Sequence, residues 1–208
     1  MTDATRRPLN SRNSRWANAL AARLAAGSVT PNQISQASIV CAGLGFLLFW
    51  AASATGGIVQ MLTLILAAAS IQARLICNLL DGMVAIEGGK SAPTGPFWNE
   101  APDRAADFLF LAGTGLAARQ PALGLAVAAL AIATAYLREL GRAEGFAPDF
   151  CGPMAKPHRM AALTLGAIIA AVYATEWVLT ATLWIIAAGT AATILRRSAR
   201  LLSKLNLR

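Results

Sequence analysis

Charge is scarce in this chain. Only 13% of its 208 residues are Asp, Glu, Lys or Arg, where soluble domains carry about 25%. Apolar residues make up 56% and the mean hydropathy is +0.54. An ordinary soluble domain is excluded, and an integral membrane protein is implied. Acids are rarer than bases, 10 against 18, for a net charge of +8. The bases gather at the termini and at the ends of apolar segments, which leaves no soluble basic face for nucleic acid. They suit membrane orientation and contact with anionic lipid head groups instead. The three cysteines, Cys41, Cys77 and Cys151, lack metal-like spacing, so neither a zinc site nor a disulfide framework is suggested. His158 is the only histidine; with no partner close in sequence, it reads as a surface residue rather than a general base. No linker follows residue 31. The organisation expected is a tail and amphipathic helix over 1–31 and one six-helix membrane domain over 32–208.

Residues 1–9 read as a polar tail, with no secretory signal after it. Residues 11–26 predict an amphipathic helix lying in the membrane interface. Trp16, Leu20 and Leu24 recur every four residues, with Arg12, Arg15 and Arg23 available to head groups. Gly27 ends it, and Thr30 is placed to cap a new helix that Pro31 opens. Six spans follow at about 34–55, 58–87, 97–118, 121–144, 158–175 and 177–196, each near the roughly 20 residues needed to cross hydrocarbon. With six spans drawn, the bases before the first, those around the fourth-to-fifth loop (Arg138, Arg142, Lys156, Arg159) and those ending the chain fall on one side. That side is cytoplasmic. The other carries only Arg119 and Glu176.

Polar residues inside two spans point to a site. Asn78 and Asp81 lie three apart, and Asn99, Asp103 and Asp107 lie four apart, spacings that put side chains on one helical face. Ionisable groups at membrane depth mark function. A glycine-rich turn over 82–95 lets the two stripes face each other. Carboxylates from adjacent helices can share hard cations, and glycine lets backbone approach a bulky phosphate. A diphosphate-bearing substrate is the natural guest.

These residues resemble the signature of the CDP-alcohol phosphotransferases, D-x-x-D-G-x-x-A-R, eight or more residues, then G-x-x-x-D-x-x-x-D. Here it reads Asn78-x-x-Asp81-Gly82-x-x-Ala85-Ile86, eight residues, then Gly95-x-x-x-Asn99-x-x-x-Asp103. Thr30-Pro31-Asn32 before the first span is similar to the family as well. Two aspartates are replaced by amides and the arginine by Ile86, a variant that a bacterial branch of the family shares in part. Sliding the later half by four would align Asp103 and Asp107 with the last two aspartates but put Asn99 where glycine belongs.

The resemblance implies an all-α fold of six transmembrane helices, preceded here by the interfacial helix. It implies transfer of a phosphatidyl-type group from a CDP-lipid donor, such as CDP-diacylglycerol, to an alcohol acceptor, with release of CMP. Mg2+ or Mn2+ is expected on Asn78, Asp81, Asn99 and Asp103, and Asp103 or Asp107 as general base. Gly82, Ala85, Gly95, Glu100, Lys156 and Arg159 are expected to contact substrate. A homodimer in a bacterial inner membrane is expected too, with both termini and the site facing the cytoplasm.

Neighbouring charges carry blander readings. Arg74 lies seven before Asp81 and reads as its ion-pair partner or as a stand-in for the arginine missing at 86. Arg104 suits Glu100. Arg138, Glu139 and Arg142 pair with one another or reach the site. Lys156 and Arg159 read equally as membrane anchors. Two other functions stay open: a weak or inactive relative that binds a nucleotide-lipid, and a small transporter. The latter needs polar residues across the bilayer, whereas 108–112 reads Phe-Leu-Phe-Leu-Ala.

Overall fold

The computed structural model describes residues 14–207 except 91 and 174, and describes helix but not side chain at 87 and 176. The tail over 1–9 and the residues through Arg12 lie outside the described residues, as do Arg208 and the side chain of Glu176. Seven helices and no strand are found among the described residues. They are α1 (Arg15–Ala26), α2 (Pro31–Ala54), α3 (Gly57–Glu87), α4 (Gly95–Ala117), α5 (Pro121–Ala143), α6 (Lys156–Tyr173) and α7 (Glu176–Asn206).

Local chemistry sets several boundaries. The Thr30 hydroxyl accepts from the Gln33 N–H at 3.3 Å, and the Gln33 side chain accepts from the Thr30 N–H at 2.9 Å. This reciprocal cap, with Pro31 at the first helical position, satisfies donors that a helix start would leave unpaired. Proline also stands at the start of α4 and α5. Inside α4, Pro102 has no N–H for the carbonyl of Trp98, so the polar end of this helix lacks one backbone bond.

Among the described residues, four helices are long and apolar enough to cross a membrane: Pro31–Ala54, Gly57–Ile86, Pro121–Ala143 and Trp177–Asn206. α4 and α6 are less apolar because the site residues are on them. Glu100, Asp103, Arg104 and Asp107 occupy the first half of α4, and Lys156, His158 and Arg159 open α6. Val40, Leu44, Leu47 and Trp50 leave one side of α2 exposed and apolar, a patch suited to lipid.

α2 packs on both α3 and α4, α6 lies on α3, and α5 lies on α4. α7 touches α4, α5 and α6. The shared core includes Phe49, Ile71, Phe110, Leu111, Met160, Leu163 and Leu183. Among equally apolar surroundings, helices gain by close approach rather than by leaving water. Gly115 and Gly124 provide it between α4 and α5: a Cβ on either would lie 2.7 Å from the other's Cα. α1 packs Ala17 and Ala21 against Leu79, Leu80, Met83 and Val84 of α3, and Trp16 and Leu20 stay exposed.

Candidate active site

The glycine-rich turn is tied to the start of the bundle. Lys90 Nζ donates to the carbonyls of Gly27 (2.6 Å) and Val29 (3.3 Å), and Asn32 Nδ2 donates to Thr94 Oγ1 at 3.0 Å. These bonds hold the turn between α3 and α4 against the start of α2. A Cβ at Gly82 or Gly95 would meet nothing within 4 Å, so there is open space along both.

Three helices bring charges together there. Asp103 of α4 takes Arg74 of α3 on Oδ1 and Lys156 of α6 on Oδ2, the latter at 2.5 Å. Lys156 Nζ also donates to Asn78 Oδ1 at 3.2 Å, so one ammonium bridges α3 and α4. Arg104 stands 3.7 Å from Asp103 Oδ2 and 3.0 Å from Glu100. Asp81 is buried and accepts from the Ser35 hydroxyl at 2.8 Å. One turn beyond Asp103, Asp107 Oδ2 pairs with Arg159 Nη2 at 2.7 Å, both side chains 3% exposed. Its other oxygen has no hydrogen-bond partner.

The expected residues divide accordingly. Asn78, Asp81, Asp103, Lys156, Asp107 and Arg159 converge. Asn99 is exposed and donates to Glu100 at 3.3 Å. Glu100 itself is drawn to Arg138 at 2.5 Å as well as to Arg104. Ala85 is half-buried on α3, and His158 is exposed. Arg74 is fully buried and pairs with Asp103 rather than with Asp81. Arg138, Glu139 and Arg142 both pair with one another and, through Arg138, reach the cluster.

Ser35 and Arg197 are contributors that the sequence pattern does not single out. Arg197 donates to the carbonyls of Cys151 (3.0 Å) and Thr134 (2.7 Å), fastening the loop before α6 to α5 and α7. In that loop Asp149 accepts from the Cys151 N–H at 2.8 Å. Partial burial pushes the Asp149 carboxyl up, but the Cys151 N–H and thiol, with Arg200 and Arg197 beyond them, hold it below the ordinary carboxylate value.

As a cage for a divalent ion this set does not fit. Magnesium and its kin favour anionic oxygen, and here two of the four positions are neutral amides. Of the carboxylate oxygens that remain, Asp81 Oδ2 already accepts from Ser35, and the two of Asp103 are taken by Arg74 and Lys156. Among the described residues, no three His, Cys, Asp or Glu side chains stand close enough to hold a metal together.

No family model matches the sequence, and no curated protein does. The fold is matched by solved structures of phosphatidylinositol phosphate synthase (PgsA1) from Mycobacterium tuberculosis. With CDP-DAG bound, that protein superposes with a TM-score of 0.76 at 19% identity, over 90% of this chain and 94% of its own. Its complex with manganese and citrate gives 0.74 at 18%, over 89% and 88%. The apo form gives 0.70 at 19%, over 87% and 93%. The chain has the PgsA1 fold. PgsA1 is a CDP-alcohol phosphotransferase, so the resemblance read from the signature is matched by shared architecture. Fold identity at this distance concerns the path of the helices, and the chemistry rests on the residues just described.

Proposed function

We propose that this chain is a membrane CDP-alcohol phosphotransferase. It transfers a phosphatidyl-type group from a CDP-activated lipid such as CDP-diacylglycerol to an alcohol, releasing CMP, in phospholipid synthesis. The observation that carries this reading is the convergence of Asp81, Asp103 and Lys156 from three helices beside open space at Gly82 and Gly95, within the PgsA1 fold. The acceptor oxygen bonds to the lipid-side phosphorus, the phosphoanhydride P–O bond breaks, and CMP leaves with its electrons. The hydroxyl proton goes to a carboxylate. Asp103 is the proposed base, since its side chain is 14% exposed while Asp107 is closed in its pair with Arg159. Gly82, Ala85 and Gly95 leave room for the diphosphate, and Lys156 and Arg159 bring positive charge to that corner.

The same reading takes α2 to α7 as six crossings, with α1 lying in the interface. The site and both termini face the cytoplasm of a bacterial inner membrane, the chain pairs as a homodimer, and lipids surround it. A second reading, a relative that holds a nucleotide-lipid without turnover, is favoured by the neutral amides at Asn78 and Asn99.

The test is CMP release from CDP-diacylglycerol by the purified chain in lipid nanodiscs, across a panel of alcohols, with the lipid product identified by mass. Acceptor-dependent release is expected, reduced about 100-fold or more by Asp103→Asn or Asp81→Asn. Binding of CDP-diacylglycerol without CMP release would establish the second reading. Full activity in both variants would overturn the site.

A further inference from the structure

We infer that Lys156 supplies from within the chain the positive charge a divalent ion would otherwise bring, its ammonium seated between Asn78 and Asp103 and poised for the substrate's diphosphate. The role at the diphosphate rests on the transferase reading; the ammonium's seat rests on geometry alone.

An ion shared by α3 and α4 would sit between their oxygen donors. Lys156 Nζ sits there, 2.5 Å from Asp103 Oδ2 and 3.2 Å from Asn78 Oδ1. Arg74 fills the remaining side of Asp103, and Arg104 stands beyond at 3.7 Å. No positive charge is lacking: against the negatives of Asp81 and Asp103 stand Lys156 and Arg74, with Arg104 shared between Asp103 and Glu100. Restoring a carboxylate at 78 would add a negative charge beside the ammonium and favour a divalent ion there. The amide at Asn78 and the lysine are therefore complementary features of one arrangement. A divalent ion entering it would have to dislodge the ammonium and then stand beside the guanidiniums of Arg74 and Arg104.

Lysine suits this task better than arginine. Its charge is compact and its four-carbon stem flexible, so the ammonium can swing from Asp103 to an arriving diphosphate. That movement frees Asp103 Oδ2 to accept the acceptor's hydroxyl proton. Donor binding and exposure of the base become one event.

Mn2+ alone is the probe, titrated into the full chain in detergent and followed by the electron paramagnetic resonance signal of the free ion. The wild type is expected to take up no Mn2+ saturably below about 1 mM, weaker than dedicated oxygen cages. Lys156→Gln is expected to gain a site at least about tenfold tighter, a gain of roughly 1.4 kcal/mol, and Lys156→Gln with Asn78→Asp a tighter one still. A tryptophan melting curve verifies that each variant is folded. CMP release by the wild type is expected to persist in EDTA. Stoichiometric Mn2+ uptake by the wild type below about 1 mM, or a folded Lys156→Gln with no gain, overturns the assignment. So does loss of CMP release in EDTA. Should Lys156→Gln not fold, the wild-type titration decides. Should no acceptor support CMP release, the transferase reading falls, while the Mn2+ titration still judges the ammonium's seat.

Discussion

Asp107 and Arg159 bury a carboxylate and a guanidinium against each other across α4 and α6. Arg159 also donates to the Met154 carbonyl at 3.2 Å, while its Nε and Asp107 Oδ1 have no hydrogen-bond partner. Such a pair gains little over an apolar replacement of the same volume, yet removing one member strands the other charge. Asp107→Ala is therefore expected to cost about 3–5 kcal/mol. Combining Asp107→Ala with Arg159→Met is expected to recover most of that. Unfolding of the detergent-solubilised variants checks both, and an Asp107→Ala protein as stable as the wild type would contradict the burial argument. CMP release by the double variant bears on the base: residual turnover keeps Asp103 in that role. Asp103 is better probed by Asn than by Ala, because Ala would strand Arg74, which is 0% exposed.

Helices were legible in the sequence where composition and capping agree. Thr30 and Pro31 mark the start of α2, apolar length marks four helices able to cross a membrane among the described residues, and Asn78 and Asp103 meet at Lys156 while Asn99 stays exposed. Helix ends set by interactions outside the apolar run were not. α7 continues to Asn206, ten residues past the expected span, because its Arg-, Lys- and Leu-rich end forms helix without being apolar. Partners were also hidden, since Arg74 meets Asp103 across 29 positions and Lys156 meets Asn78 across 78. Periodicity reports neighbours on one helix and says nothing of which helix lies alongside. Close approach is similarly invisible, as two glycines of α2 illustrate. A Cβ at Gly45 would strike the Phe110 ring and the Ser70 hydroxyl, whereas one at Gly43 meets nothing within 4 Å. Gly45→Ala is expected to destabilise by about 1–3 kcal/mol through overpacking. Gly43→Ala is expected to be neutral or to stabilise by up to about 1 kcal/mol, the helix-propensity gain. Melting temperatures of the pair in one detergent decide it, and equal shifts would mean that α2 does not approach α4 this closely.

Across the whole molecule, contacts join the link before α2, the turn after α3, the loop before α6 and α7. Lys90 reaches Gly27, Lys156 reaches Asn78, and Arg197 reaches the Cys151 carbonyl. Segments so joined share one end of the bundle, and the basic residues gather with them. The short connections at 55–56 and 118–120 then belong to the other end. α4, with 23 residues, is about 34 Å long and α6, with 18, about 27 Å, close to the roughly 30 Å of hydrocarbon. If only the four more apolar helices crossed, residue 120 and the C-terminal end of α7 would lie on the same side. Residues 78 and 156 would then be on opposite sides, against the bond between their side chains. With six crossings, residue 120 and the end of α7 lie on opposite sides. Replacing Cys41, Cys77 and Cys151 by serine and introducing Gln120→Cys or Ser203→Cys, both at exposed positions, makes this measurable. A membrane-impermeant maleimide applied to intact cells is expected to label the first variant and to reach the second only after lysis. Equal labelling of both from one side would reduce the crossings to four and separate Lys156 from the hairpin it bridges.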